Sequence, residues 1–278
     1  MKIEFYGVRG SIPTPGPETA EFGGNTPCVF VELNNGGQVI FDAGTGIRPL
    51  GDRLMKNNHP IHLLLSHTHW DHIQGFPFFK PAYQKGREIY LYPATGSAEQ
   101  TMCTLLAQLD GVNFPVTANQ IGCGMICHDY HTEFFDRKEI TIQSMLLNHP
   151  GGGSAFRLSE NGSSVAYVTD NELNPPGTPI TTFEQWVEFV RDVDVLIHDA
   201  QYLPEDMPLK HGWGHSLVSD VWRLAEAAQV KTLVLFHHEP ERSDSEIRQI
   251  QHATDEHFRD RLRPFRAICA REGLVLEV

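Results

Sequence analysis

The stretch IHLLLSHTHWDH, residues 61–72, decides how this chain is read: an aliphatic run ends in a cluster of imidazoles and a carboxylate. IHLLLS at 61–66 is short and apolar, which predicts a buried strand. His67 and His69 stand two apart on an extended segment, so their side chains leave the same face and can hold one metal ion. Asp71 and His72 lie beyond a turn, where a carboxylate oxygen and an imidazole nitrogen are available to a second ion.

Other apolar runs end the same way. TIQSMLL leads to Asn148-His149, SSVAYVT to Asp170, VDVLI to His198-Asp199, and KTLVLF to His237-His238. In open α/β sheets the carboxyl ends of strands are where ligands bind. A single strand-end histidine is as readily a satisfied polar residue as a ligand. A run of such coincidences implies a shared metal site. Asp170 is placed to bridge two ions, with His149 completing the first and His237 the second. Imidazole and carboxylate without thiolate suit two divalent ions, zinc first, with manganese, iron or nickel also compatible. Such a pair, about 3.5–4 Å apart, would hold a hydroxide at neutral pH and clamp the oxygens of an in-line displacement.

The remaining sequence is that of an ordinary globular α/β protein. Strands are predicted at 2–8, 28–33, 38–42, 88–92, 140–147, 154–158, 164–169, 193–198, 231–236 and 274–278. Helices are predicted at 47–57, 97–109, 216–228 and after two capping boxes, Thr181-x-x-Glu184 and Ser243-x-x-Glu246. NNGG at 34–37 signals a hairpin. Strands first, then strands mixed with helices, predict a layered protein with sheets inside and helices outside. No linker divides the chain, so one domain over 1–278 is expected, with 76–135 as a less regular insertion.

The 278 residues are 40% hydrophobic and 21% charged, with 35 acidic against 22 basic residues and a formal charge of -13. That balance repels long nucleic acids and leaves a small anionic substrate as the expected partner, because bound metals dominate the local field. No run reaches the ~18–20 apolar residues of a membrane span. The scattered cysteines 28, 103, 123, 127 and 269, with no signal segment at the start, predict free thiols in a reducing cytoplasm.

HTHWDH with His149, Asp170 and His237 resembles the metallo-β-lactamase superfamily, and FDAGTG at 41–46 resembles its early Asp-x-Gly turn. The resemblance implies a four-layer αβ/βα sandwich with a dinuclear site at one edge. It implies His67, His69 and His149 on one metal, Asp71, His72 and His237 on the other, and Asp170 between them, Asp71 also counting as catalytic. His238 is adjacent to His237, and a slip of one place would exchange them. His237 is preferred, two residues past the strand's last aliphatic, Leu235.

Gly214-His215-Ser216 and His198-Asp199 resemble the branch of tRNase Z and the phosphoribosyl cyclic phosphodiesterases. The resemblance implies His215 as the general acid for the leaving oxygen and Asp199 as its partner; a helix-start residue on a surface loop is the alternative for His215. The opening VRGSIPTPGPETAEFGGNT resembles a bacterial group in this branch. There Arg9, Ser11, Asn25 and Thr26 would contact the phosphate, unless the glycines only serve the turn. No long basic arm matches that of tRNase Z. A small cyclic phosphodiester, either a cyclic nucleotide or a phosphoribosyl cyclic phosphate, is therefore the expected substrate, and a homodimer the expected assembly.

Rival readings are a tRNase Z-like endonuclease, a thioesterase or lactonase of the same fold, and a non-catalytic metal-binding sensor. Two further features stand outside the main pattern. Cys123-x3-Cys127-His128-x2-His131 is a weak structural-zinc pattern. Trp70, Phe76, Phe78, Phe79 and Tyr83 either line a wall that stacks a base or pack beneath the loop, the second being the commoner outcome.

Overall fold

Alternation along the strands sets the layers in the computed structural model, which describes residues 1–93, 97–127, 139–260 and 265–278. The first sheet is built from β1 (Lys2–Gly7), β2 (Cys28–Glu32), β3 (Gln38–Phe41), β4 (Ile61–Leu64), β5 (Glu88–Tyr92) and β6 (Gly124–Cys127). The second takes β7 (Ile140–Leu146), β8 (Ser154–Glu160), β9 (Ser163–Val168), β10 (Val195–Asp199), β11 (Thr232–Phe236) and β12 (Arg266–Cys269). The last strand, β13 (Val275–Glu277), returns to the first sheet beside β1. Both sheets follow one plan. Antiparallel pairing joins β1–β2–β3 and β7–β8–β9, and parallel pairing continues through β4–β5–β6 and β10–β11–β12.

Successive residues of a strand face opposite sides, so a strand covered on both faces must be apolar throughout. In β4, Leu64 points into the core between the sheets, while Ile61 and Leu63 join an outer core. In β11, Val234 and Phe236 point inward, and Leu233 and Leu235 point outward. Between the sheets Phe41 stacks on Tyr167 with centroids 5.0 Å apart, and Phe5 meets Phe236 at 6.2 Å.

Helices cover the outer faces. α1 (Ile47–Leu54), α2 (Trp70–Ile73) and α3 (Ala98–Leu106) lie with the first sheet. α4 (Phe183–Phe189), α5 (Val218–Ala227) and α6 (Asp244–His257) bury Trp186, Leu224 and Ile247 against the second. The result is the four-layer αβ/βα sandwich. No helix among the described residues is long and apolar enough to cross a membrane.

Two local readings change. The capping residue of α4 is Thr182, whose hydroxyl accepts from Gln185 N–H. Thr181 is already committed elsewhere, its hydroxyl donating to Leu146 O and its N–H to Asn148 Oδ1. The short strands β6 and β12 carry no alternation of their own and exist through parallel pairing with β5 and β11. Of the cysteine–histidine pattern, His128 and His131 lie outside the described residues.

Candidate metal centre

The parallel strands all end at one edge of the sandwich, and the chain turns sharply there. Asp42, Asp170 and His237, each just past a strand, hold left-handed backbones with φ of 61°, 49° and 60°. Non-glycine residues adopt this region at a cost and persist in it only where the surroundings fix them. Each turn swings its side chain into the space between the sheets.

Two overlapping groups of ligand atoms form there. His67, His69, His149 and Asp170 make one group, and Asp71, His72, Asp170 and His237 the other, with the atoms of each within 4.8 Å of one another. Asp170 faces both, its Oδ2 3.5 Å from His67 Nε2 and 3.7 Å from His149 Nε2. Its Oδ1 lies 3.1 Å from the Nε2 atoms of both His72 and His237. Nearly all of these residues are buried; His69 is exposed and marks where the site opens to solvent.

The donor atoms fit a cation. The Nε2 atoms of His67 and His72 are buried without a hydrogen-bond partner, although carboxylate oxygens stand 3.1 and 3.2 Å from that of His72. Those oxygens lie off its hydrogen-bond direction, as donors converging on a common centre do. Burial holds the His67 imidazole well below its ordinary pKa, with His72 adding to the effect. At His72 burial acts the same way, but Asp170, Asp71 and Asp42 outweigh it and raise the pKa well above the usual value. Burial likewise would raise Asp71 and Asp170, yet the surrounding imidazoles keep both well below the carboxylate range. The cluster thus favours positive charge between its imidazoles and carboxylates, which a divalent ion supplies better than a proton.

Outer partners fix the rings. Asp42 Oδ2 lies 2.8 Å from His72 Nδ1 and accepts from Ser66 Oγ and Tyr167 OH. Gly214 O accepts from His149 Nδ1 at 3.1 Å, and Gln201 Oε1 from His237 Nδ1 at 2.8 Å. Gly214 has φ +91°, and a Cβ there would fall 2.2 Å from His149 Nδ1. Gln201 and Gly214's carbonyl were not singled out by sequence reasoning, since neither position carries a pattern until the strands are assembled.

His215 sits at the edge of this cluster. Its Nδ1 is 2.6 Å from Asp199 Oδ2, and its ring stacks on His237 with centroids 5.1 Å apart. Asp199, His215, Asp170 and His237 offer atoms within 4.8 Å of one another. Burial lowers the His215 pKa, but the charge and hydrogen bond of Asp199, with Asp170 and Asp71, lift it to about 9. His215 is buried, so it is not a residue of an exposed surface loop.

The loop after β1 differs from its expected role. Arg9 is fully buried and donates to the carbonyls of Gly23, Glu239 and Arg242, so its guanidinium braces the loop instead of facing a substrate. Asn25 is held by Glu272, and Thr26 is buried against Thr45. Ser11 alone of this set reaches the cluster, its backbone N–H donating to Asp71 Oδ2 at 2.8 Å. These polar groups are consumed in closing a Gly/Pro-rich turn whose own backbone needs partners. His238 turns away: its Nε2 meets Ala270 O at 2.8 Å, and burial pushes its pKa down to about 3.

Two cavities flank the centre. One of about 200 Å³ lies beside His149 and Gly214, and one of about 350 Å³ is lined by His215, Leu173, Met207 and Leu217.

Known proteins share this organisation. The chain is 25% identical to a Ribonuclease Z of Staphylococcus carnosus (strain TM300), over 85% of this chain and 88% of that protein. Among solved structures, the metallo-beta-lactamase fold protein YhfI of Bacillus subtilis superposes with a TM-score of 0.68 at 16% identity, covering 99% of both chains. A diphosphatase of the PhnP family gives 0.66 at 20% identity, covering 100% of this chain and 97% of that one. The family described as the beta-lactamase superfamily domain matches residues 38–238, so this chain belongs to the metallo-β-lactamase superfamily of metal-dependent hydrolases.

Proposed function

We propose that the protein is a phosphodiesterase that cleaves a small cyclic phosphodiester, a cyclic nucleotide or a phosphoribosyl cyclic phosphate. Two zinc ions would be held by His67, His69 and His149 on one side, by Asp71, His72 and His237 on the other, and by Asp170 between them. When bound, the ions supply a nucleophile at neutral pH and neutralise charge on the phosphate oxygens.

The chain's own residues do the rest. His215 acts as the imidazolium, donating its Nε2 proton to the departing oxygen, while Asp199 accepts the Nδ1–H and leaves the ring as the Nδ1-protonated tautomer. Asp42, Gly214 and Gln201 keep the ligating rings in place through their second nitrogens. The observation that carries the reading is the His215–Asp199 pair, stacked on His237 at the cluster's edge. Hydrolysis of a thioester does not need that acid, because a thiolate leaves without a proton.

Charge supports a small substrate, since a protein at -13 repels a long polyanion overall, whereas bound metals attract a small anion locally. A second reading, RNA cleavage, has the Ribonuclease Z relatives in its favour. One hydrolase domain over 1–278, in the cytoplasm as a homodimer, completes the proposal. The core shared by both sheets and the five free cysteines support its domain and compartment parts.

Turnover of bis-p-nitrophenyl phosphate, cyclic nucleotides and a precursor tRNA by metal-loaded protein is the test. His215→Ala should lower kcat for the alkoxide-releasing cyclic substrates by about 10²–10⁴-fold at unchanged metal content. Absence of turnover, or an identical rate in that variant, refutes the reading; cleavage of the RNA alone favours the second.

A further inference from the structure

The protein has four tryptophans, and they divide sharply. Trp186 is fully buried, and Trp222 packs on the second outer core and stacks on His257 at 4.6 Å. Trp70 and Trp213 stand 78% and 59% exposed. The packing explanation for aromatic residues after the metal motif holds for Phe76 and Phe79, which are completely buried, and fails for Trp70. An exposed indole forgoes the largest burial a side chain can offer.

Both exposed tryptophans are chain neighbours of residues that touch the cluster. Trp70 follows His69, the exposed member of the cluster, and Trp213 precedes Gly214. One imidazole joins those two neighbours: His149 Nε2 lies 3.0 Å from His69 Nδ1, and its Nδ1 lies 3.1 Å from Gly214 O. Each tryptophan Cα is about 3.8 Å along the chain from a residue touching His149. Beside His149 and Gly214 the cavity of about 200 Å³ has walls of Pro150, Pro175, Pro176 and Ile180. Its acidic member, Glu172, accepts from the N–H groups of Gly212 and Gly214. A second phosphate would be repelled there, whereas a flat uncharged group would be welcome.

We propose that Trp70 and Trp213 form an aromatic clamp that stacks the base of a nucleoside cyclic phosphate at the mouth of the site. The clamp rests on the phosphodiesterase reading for the phosphate and chooses the nucleotide over the base-free phosphoribosyl substrate. Indoles suit a planar π-face and tolerate any base.

The test compares adenosine 3′,5′-cyclic monophosphate with methyl β-ribofuranoside 3′,5′-cyclic phosphate, which lacks the base, on the metal-loaded protein. Base stacking of the usual strength predicts that Trp70→Ala and Trp213→Ala each lower the ratio of kcat/KM values, nucleotide over base-free, by about 5- to 150-fold. The change should fall mainly on KM, and Trp70→Phe and Trp213→Phe should recover most of it. The nucleotide should also quench tryptophan emission where the base-free diester does not. A ratio within about twofold of the parent in either alanine variant overturns the clamp. So does equal loss on both substrates, or a loss that follows a changed oligomeric state in sedimentation. If neither diester is cleaved, the phosphodiesterase reading falls alone. Quenching by the nucleotide that is weakened in the alanine variants then still supports the clamp, and absence of quenching overturns it.

Discussion

Replacing Asp42 by Asn tests whether the metal centre is held from behind. The carboxylate is fully buried and has no spare capacity: Oδ1 accepts Ser66 N–H at 2.7 Å, and Oδ2 faces Ser66 Oγ, Tyr167 OH and His72 Nδ1 at 2.8, 2.7 and 2.8 Å. An amide must place its NH₂ at one of these two positions. Facing Ser66 N–H it sets one donor against another; facing the remaining three it is worse. The less damaging orientation still loses a hydrogen bond to a charged group, about 1.5–3 kcal/mol, and removes the negative charge that fixes the His72 tautomer. Metal affinity should therefore fall about 10–100-fold, equivalent to roughly 1.4–2.7 kcal/mol. Competition with a chromophoric chelator measures this, and urea unfolding of the metal-free protein separates it from general destabilisation. An affinity within about twofold of the parent, with stability alone reduced, would refute the orienting role.

Further outcomes follow from the same geometry. The His215 pKa of about 9 exceeds the ordinary histidine value, so the Asp199–His215 pair stabilises the metal-free protein fully below about pH 6.5 and loses this contribution as pH rises through 9. Asp199→Asn should therefore cost most stability in mildly acid solution and less in alkaline solution, as read by urea midpoints across pH; a pH-independent deficit contradicts the assignment. Gly214→Ala would push a Cβ into His149 at a φ of +91°, and a displacement near 1 Å should lower activity about 10²-fold, with metal content falling too. Leu233→Ala removes a fully buried side chain between β11 and its covering helices and should cost about 2–5 kcal/mol in urea unfolding while leaving metal stoichiometry unchanged.

Much of the fold was legible because its signals are local. Aliphatic runs such as 61–66 and 231–236 announce strands buried on both faces, and Ser243 with Glu246 announces α6, where the box forms as read. The spacing of His67, His69, Asp71 and His72 is a local feature as well. Thr181 shows the limit: two adjacent threonines both fit a cap, and only the contacts of Thr181 with Leu146 and Asn148 leave Thr182 for the task. Arg9 shows it again. An arginine in a glycine-rich loop reads as an anion contact until three carbonyls, two of them more than 200 residues away in the chain, are seen to occupy it.

The sequence by itself determined the layered α/β class and the cluster of imidazoles and carboxylates at strand ends, because short apolar runs and the polar residues that end them are written over a few residues. The tertiary structure decided which groups stand behind and around that cluster. Asp42, Gln201 and the carbonyl of Gly214 reach their imidazoles from other strands and loops, and the chain neighbours of Trp70 and Trp213, His69 and Gly214, meet at His149 from positions far apart in the chain. Their roles depend on distances across the sandwich, which no local pattern encodes.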